Sequence, residues 1–212
     1  MEPKLWKAVL AALSTTKLET GDVMIDAGGN DGTTAKMLAN RFPNQTIMTV
    51  EPITSNIKEI HRKTFAFPVL MRRVKVVHGG LGAENGFSNY AATLDDRLGS
   101  IGTQTGTIQL YDNLKAVKQR KVFPVYTVDT LVGDNRLAFA HIDVEGSEIE
   151  ALQGAVRTIA RDKPVITLET FPKSNQTKHK LLLEHMEGLE YECTLLDEVC
   201  GWGDCRNLIC TT

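Results

Sequence analysis

Apolar and polar positions follow two periods along this chain. Short apolar runs (VMI at 23–25, TIMTV at 46–50, VKVV at 74–77, LAFAHI at 137–142 and VITLE at 165–169) have the length and β-branched content of strands. Between them lie stretches of helical spacing. One is AKMLANRF after Thr34, one starts at Thr54 or Ser55 as cap, one is Ile149, Leu152, Ala155, Val156 and Ile159 behind Ser147, and one is LLLEHMEGL. The pattern predicts strands at 22–27, 46–51, 73–80, 137–146 and 164–170. It predicts helices at 3–14, 33–41, 54–63, 147–160 and up to Gly188. The segments 190–196 and 206–211 read as an antiparallel pair. Near-continuous apolar runs belong to strands covered on both faces. Strands alternating with helices require a mostly parallel α/β sheet with helices on both sides, here finished by an antiparallel C-terminal hairpin.

Residues 81–121 interrupt this rhythm. Gly82, Gly86, Gly99, Gly102 and Gly106 punctuate them. TGTIQLYDN reads as a strand with GFSNYAATL as its partner, giving a β-hairpin or lid insertion with a mobile tip near SIGTQTG. KVFPVYTVDTLV then resumes as a strand running into a short helical turn. Neither an internal repeat nor a linker is visible, so the chain reads as a single domain over 1–212, with an N-terminal helix over 1–16.

Composition narrows the class. The chain has 212 residues, enough for a sizeable core, with 42% hydrophobic and 24% charged residues. A net charge of −2 gives no global attraction to nucleic acid. No apolar run reaches the ~20 residues of a bilayer span, and the N-terminus reads as an amphipathic helix rather than a signal peptide. This favours a cytoplasmic setting unless the cysteines are bonded. All four of them, Cys193, Cys200, Cys205 and Cys210, fall in the last 20 residues without a C-x-x-C pair. They are either reduced or joined as disulfides within the terminal hairpin. Cys193 and Cys210 lie on neighbouring strands, and Cys200 and Cys205 flank a turn carrying Trp202, which reads as structural.

Candidate chemistry concentrates at strand ends. The segment DVMIDAGGNDGTT is a strand, a glycine-rich turn and a helix start. Asp26, Gly28, Gly29, Asn30 and Gly32 make a turn against which a ligand can lie. Glu51 ends the second strand 19 residues after Gly32, placed to accept ribose hydroxyls, and Pro52 follows it. The spacing differs from the dinucleotide G-x-G-x-x-G, and Asp26 and Asp31 would repel a phosphate. S-adenosylmethionine has no phosphate and carries a sulfonium and an ammonium, which these carboxylates favour. The third strand delivers Gly79, Gly80 and Leu81, where a backbone N–H can meet adenine. The fold thus reads as a Rossmann-like, class I methyltransferase.

The fourth strand delivers His141, Asp143 and Glu145, which alternation would place on one face. They are candidates for a cofactor-ammonium ligand (Asp143) or for the general base, against the alternative that Asp143 and Glu145 only support the next helix. Glu169 lines the same rim. With Asp143 it offers two ligands for a divalent ion, and because a third is not evident, no metal is expected.

Four blocks in this order, VMIDAGGNDGTT, VEPITSN, VYTVDTLV and HIDVEGSEIEALQGA followed by PVITLE, resemble the FkbM-type S-adenosylmethionine-dependent methyltransferases, with RNLIC fitting at the end. The family often has lysine where this chain has His141. The resemblance implies O-methylation of a hydroxyl on a sugar or glycan or on a small natural product. The partner is then a small-molecule or glycan acceptor. Two other classes compete: a non-catalytic cofactor-binding module, and a protein or nucleic-acid methyltransferase. The charge and the lack of an amino-methylation N/D-P-P-Y/F motif count against the last.

Overall fold

The computed structural model describes residues 3–92, 119–200 and 203–212. The chain opens with α1 (Pro3–Thr15), then β1 (Val23–Ala27), α2 (Thr33–Arg41), β2 (Thr46–Glu51), α3 (Thr54–Phe65), α4 (Pro68–Met71) and β3 (Val74–His78). It continues through β4 (Gly80–Leu81), β5 (Gly86–Ala92), β6 (Gln119–Tyr126), α5 (Val128–Val132) and β7 (Leu137–Ile142). It ends with α6 (Glu148–Gln153), α7 (Val156–Asp162), β8 (Val165–Thr170), α8 (Gln176–Gly188), β9 (Glu192–Leu195) and β10 (Arg206–Thr211).

Among the described residues, a seven-stranded sheet runs β3-β2-β1-β7-β8-β10-β9. β3, β2, β1, β7 and β8 are parallel, and β10 is antiparallel to both β8 and β9. Alternation along β1 divides the core in two. Val23, Ile25 and Ala27 join Leu152, Ile159, Leu182 and Met186 on one face. Met24 joins Leu5, Trp6 and Val9 of α1 and Leu38 of α2 on the other. The strand order reverses between β1 and β7, which opens a crevice beyond their carboxyl ends where ligands of such sheets bind.

Several boundaries differ from the periodic reading, each for a local reason. β7 stops at Ile142, where its partner β1 ends at Ala27 and the last ladder bond runs from the Asp143 N–H to Ala27 O; Glu145 beyond it takes a left-handed φ of 52°. His141, Asp143 and Glu145 therefore do not continue one alternating face. The helix over 147–160 is broken into α6 and α7 at Gly154. A Cβ there would sit 2.1 Å from Gly82 O, so that point must pack backbone against backbone. Ser147 holds the N-cap position of α6 without a side-chain capping bond. Ile53, not Thr54 or Ser55, is the N-cap of α3. The strand expected over 73–80 is divided, with Gly80–Leu81 turning away to pair with β6.

β5 pairs with β6, from Gly86↔Val125 to Ala92↔Gln119. Among the described residues, the partner of GFSNYAATL is the strand over 119–126. TGTIQLYDN and the SIGTQTG tip lie outside the described residues, as does Trp202.

Two disulfides close the C-terminal end, Cys193–Cys210 and Cys200–Cys205. Cys193 and Cys210 are cross-strand partners on β9 and β10. Their bond closes a 17-residue separation, and for a loop of that size the bond stabilises by about 3 kcal/mol. Replacing both by serine is expected to lower the unfolding free energy by about that amount, read as a lower midpoint in urea with a slope that rises as the freed unfolded chain expands. An unchanged midpoint would show that the bond contributes nothing.

Candidate active site

The glycine turn is built by close approach. Gly28 has φ +84°, and a Cβ there would lie 1.8 Å from Asp143 O. A Cβ on Gly29 would lie 2.1 Å from Thr49 Oγ1. Gly32, at φ +77°, meets the Ile60 backbone of α3. Each glycine thus seats the turn against a different element, and any side chain would lift it off. Asn30 at the tip takes a left-handed φ of 43°.

Glu51 organises this turn from beneath. It is buried, and its Oε2 accepts the Asn30 N–H at 2.8 Å while its Oε1 accepts the Ile53 N–H at 2.8 Å. Burial raises its pKa despite these donors. A carboxylate has about four acceptor positions, so these two bonds leave room for roughly two more donors. Pro52 O accepts from His78 Nε2 at 3.0 Å in one tautomer, tying the end of β3 to the same loop. At Asp31, burial works to raise the pKa but the ammonium of Lys63 and the hydroxyl of Thr33 overcome it, and the net shift is down.

Asp26 is fully buried one strand over. Its Oδ2 accepts from Thr49 Oγ1 at 3.1 Å, while its Oδ1 is buried without a partner. Burial pushes its pKa up to about 7, with a smaller push from Glu51. Register places Thr49, Asp26, His141 and Thr167 side by side across β2, β1, β7 and β8. This buried polar row was not visible in sequence, because register between distant strands is not a local signal. His141 belongs to it: Nδ1 lies 2.9 Å from Thr167 Oγ1, and the ring packs 5.7 Å from that of Trp6. Burial lowers its pKa to about 4, so it is neutral at physiological pH.

A second acidic group gathers where β7 and β8 end. Glu169 is buried, and its pKa is pushed far up, first by burial and then by the charges of Asp143, Glu145 and Glu148. Glu148 is drawn off by an ion pair with Lys178, and its Oε1 accepts the Gly146 N–H. Lys178 lies on α8, beyond the reach of sequence spacing. On the far side, Cys205 Sγ sits 3.1 Å from Glu169 Oε1. Asp204 accepts the backbone N–H groups of Lys173 and Ser174, which pins the loop after β8 to the C-terminal turn. Glu169, Cys200 and Cys205 approach one another closely, but the two sulfurs are joined to each other.

The adenine-side expectation is modified. The Gly79 N–H is taken by Glu51 O at 3.1 Å. Gly80 packs on Phe123, whose ring lies 2.9 Å from where a Cβ would be, and Leu81 is buried in the core.

The residues present fit S-adenosylmethionine. The turn has no room for side chains, Asp26 holds a buried orphan oxygen, and Asp143, Glu145 and Glu148 crowd Glu169 where β7 and β8 end.

Comparison with known proteins agrees with this geometry. Residues 26–193 match the methyltransferase FkbM domain family. Among curated proteins, none matches in sequence. Among solved structures, a methyltransferase FkbM from Methylobacillus flagellatus superposes with a TM-score of 0.62 at 17% identity, covering 94% of this chain and 45% of that one. This chain therefore spans less than half the length of that relative. A precorrin-6y C5,15-methyltransferase from Geobacter metallireducens has a TM-score of 0.55 at 14% identity, covering 97% and 86%. A methyltransferase from Streptococcus mutans, solved in complex with SAH, has a TM-score of 0.55 at 8% identity, covering 97% and 96%.

The elevated pKa of Asp26 makes stability depend on pH with a definite sign. Below 3.8 the group is protonated whether folded or unfolded; between 3.8 and about 7 only the unfolded chain ionises, so stability falls as pH rises. The full displacement is worth on the order of 4 kcal/mol. Asp26→Asn is expected to match the native chain in stability near pH 4 and to exceed it increasingly up to pH 8. Parallel stability curves for the two proteins would refute the assignment.

Proposed function

From the premise that the chain belongs to the FkbM family of S-adenosylmethionine-dependent methyltransferases, we propose that it methylates a hydroxyl oxygen on a sugar, a glycan or a small polyhydroxylated natural product. One observation carries this reading. Asp143, Glu145 and Glu169 interact electrostatically at the ends of β7 and β8, and the Asp143 backbone touches the glycine turn. A rim of carboxylates accepts hydrogen bonds from neighbouring hydroxyls and repels phosphates, so it suits a neutral polyol better than a nucleic acid.

The cofactor supplies an electrophilic methyl group. The roles of this chain follow from its side chains. Gly28, Gly29 and Gly32 keep the turn flat, and Asn30 fixes its tip to Glu51. Glu51 keeps an acceptor position for ribose, and the oxygen of Asp26 without a partner answers a cationic ligand. Pro52, Gly80 and Leu81 bound the adenine side.

Asp143 receives the acceptor proton. The proton held on Glu169 leaves the negative charge on Asp143, and a carboxylate at the reacting hydroxyl raises the nucleophilicity of its oxygen as the bond forms. Glu145 binds a neighbouring hydroxyl of the acceptor. His141, neutral and packed between Trp6 and Thr167, supports the floor of the site rather than the proton transfer. Holding the two reactants in line accounts for most of the rate gain.

The test combines calorimetry and label transfer. The chain is expected to bind S-adenosylmethionine and to transfer labelled methyl to hydroxyls in a panel of sugars and polyketide-like alcohols. Asp143→Asn is expected to lower kcat about 100-fold or more while the protein still binds cofactor, and Glu51→Gln to weaken cofactor binding about tenfold. Label found only on amines, carboxylates or nucleic acid would reject the acceptor class. Unchanged kcat in Asp143→Asn would reject the base.

A further inference from the structure

A cavity of about 1000 Å³ opens on the α1–α2 side of the sheet, bounded at one end by Thr33 and Lys63 beside the glycine turn. Its apolar part is Trp6 and Leu10 of α1, Met37 of α2 and Phe67 at the start of α4. Trp6 is buried and forms the floor, while Phe67 is 48% exposed and stands at the edge. The charged lining is one-sided. Lys36, Arg41, Arg62 and Lys63 contribute, and no carboxylate does among the described residues. In a chain with 24 basic and 26 acidic residues, that is a strong local sorting of sign.

The cations are not equivalent. Arg62 is engaged by Glu59 at 2.6 Å, and Lys63 is paired with Asp31. Lys36 Nζ stands 4.5 Å over the Phe67 ring, and Arg41 is exposed at the end of α2. Lys36 and Arg41 lie five positions apart along one helix. An apolar floor under a cationic edge is complementary to a molecule with an apolar body and an anionic head. The volume is at the upper end of small-molecule sites. A bare anion would leave Trp6 and Met37 uncovered, and a neutral hydrocarbon would leave the cations unused.

We propose that this groove binds a single-chain anionic amphiphile, an alkyl phosphate taken up as a monomer, at a site separate from the methyl-transfer crevice. The apolar chain lies on Trp6, Leu10 and Met37, and the phosphate meets Lys36 and Arg41. The assignment does not depend on which hydroxyl is methylated.

Calorimetry on the full chain tests it, using dodecyl phosphate below its micelle concentration. Saturable one-to-one binding is expected, at least about tenfold tighter than inorganic phosphate or dodecyltrimethylammonium, a tenfold difference being about 1.4 kcal/mol. The double variant Lys36→Glu with Arg41→Glu is expected to weaken it about tenfold or more. Asn40→Trp, which fills the groove without changing charge, is expected to do the same. Neither should alter the unfolding midpoint appreciably, which controls for folding. Inorganic phosphate binding as tightly as dodecyl phosphate would reduce the site to an anion patch and overturn the proposal. Equal affinity for the cationic amphiphile, binding to phosphatidylglycerol vesicles without binding to the monomer, or undiminished binding in both variants would also overturn it.

Discussion

The contact on which the site depends is the seating of Gly28 against the Asp143 carbonyl. Two strands that reverse the order of the sheet end side by side, and their loops must leave in different directions. With any side chain at Gly28 the turn would be pushed off Asp143 by more than a bond length's worth of overlap, since its Cβ would come within 1.8 Å of that oxygen. Because it is glycine, the backbone after β1 folds back at φ +84° directly beyond the last β1–β7 ladder bond, from the Asp143 N–H to Ala27 O. One close approach therefore joins the cofactor-side turn to the acidic rim. The remaining fixtures, from Glu51 under Asn30 to Asp204 under Ser174, hold in place what that contact brings together.

Much of this was readable from local chemistry. The strand, glycine turn and helix over 22–41 follow from an apolar run, three glycines and a 3.6-residue period, all of which act over a few positions. The neighbouring strands of Cys193 and Cys210 were readable too, but strand assignment left the reduced and bonded states open, and the bond is seen only in the structure. Misread features depend on distant partners. The end of β7 at Ile142 is set by Ala27, and the break at Gly154 by Gly82, more than 70 residues earlier. That β5 pairs with the strand over 119–126 is likewise a matter of tertiary register rather than local pattern. At the site, Asp26, Glu51 and Asp143 announce themselves at strand ends. Thr49, Thr167 and Lys178 do not, because hydroxyls on strands and a lysine on a helix are ordinary until their neighbours are known.

The position of His141 shows how one boundary changes a chemical reading. On an extended strand through residue 145 it would share a face with Asp143 and Glu145 and look like a third titratable group. With the strand stopped at Ile142, it stays in the sheet under α1, bonded to Thr167 and against Trp6. An imidazole whose pKa burial has lowered to about 4 is a polar packing group at neutral pH, although its ring still satisfies a buried hydroxyl.

The acids that remain are not arranged for the stability of the bare protein. Asp26, Glu51 and Glu169 are all buried, and burial raises the pKa of each. An oxygen of Asp26 and one of Glu169 have no hydrogen-bond partner. Replacing such groups by apolar ones of the same shape would in general stabilise a fold. Their concentration around one crevice is what a cationic ligand would require, since a positive charge lowers the cost of ionising every one of them together. The electrostatic strain and the glycine cradle thus point to the same molecule by independent routes. One excludes phosphate by charge, and the other admits backbone contact by shape.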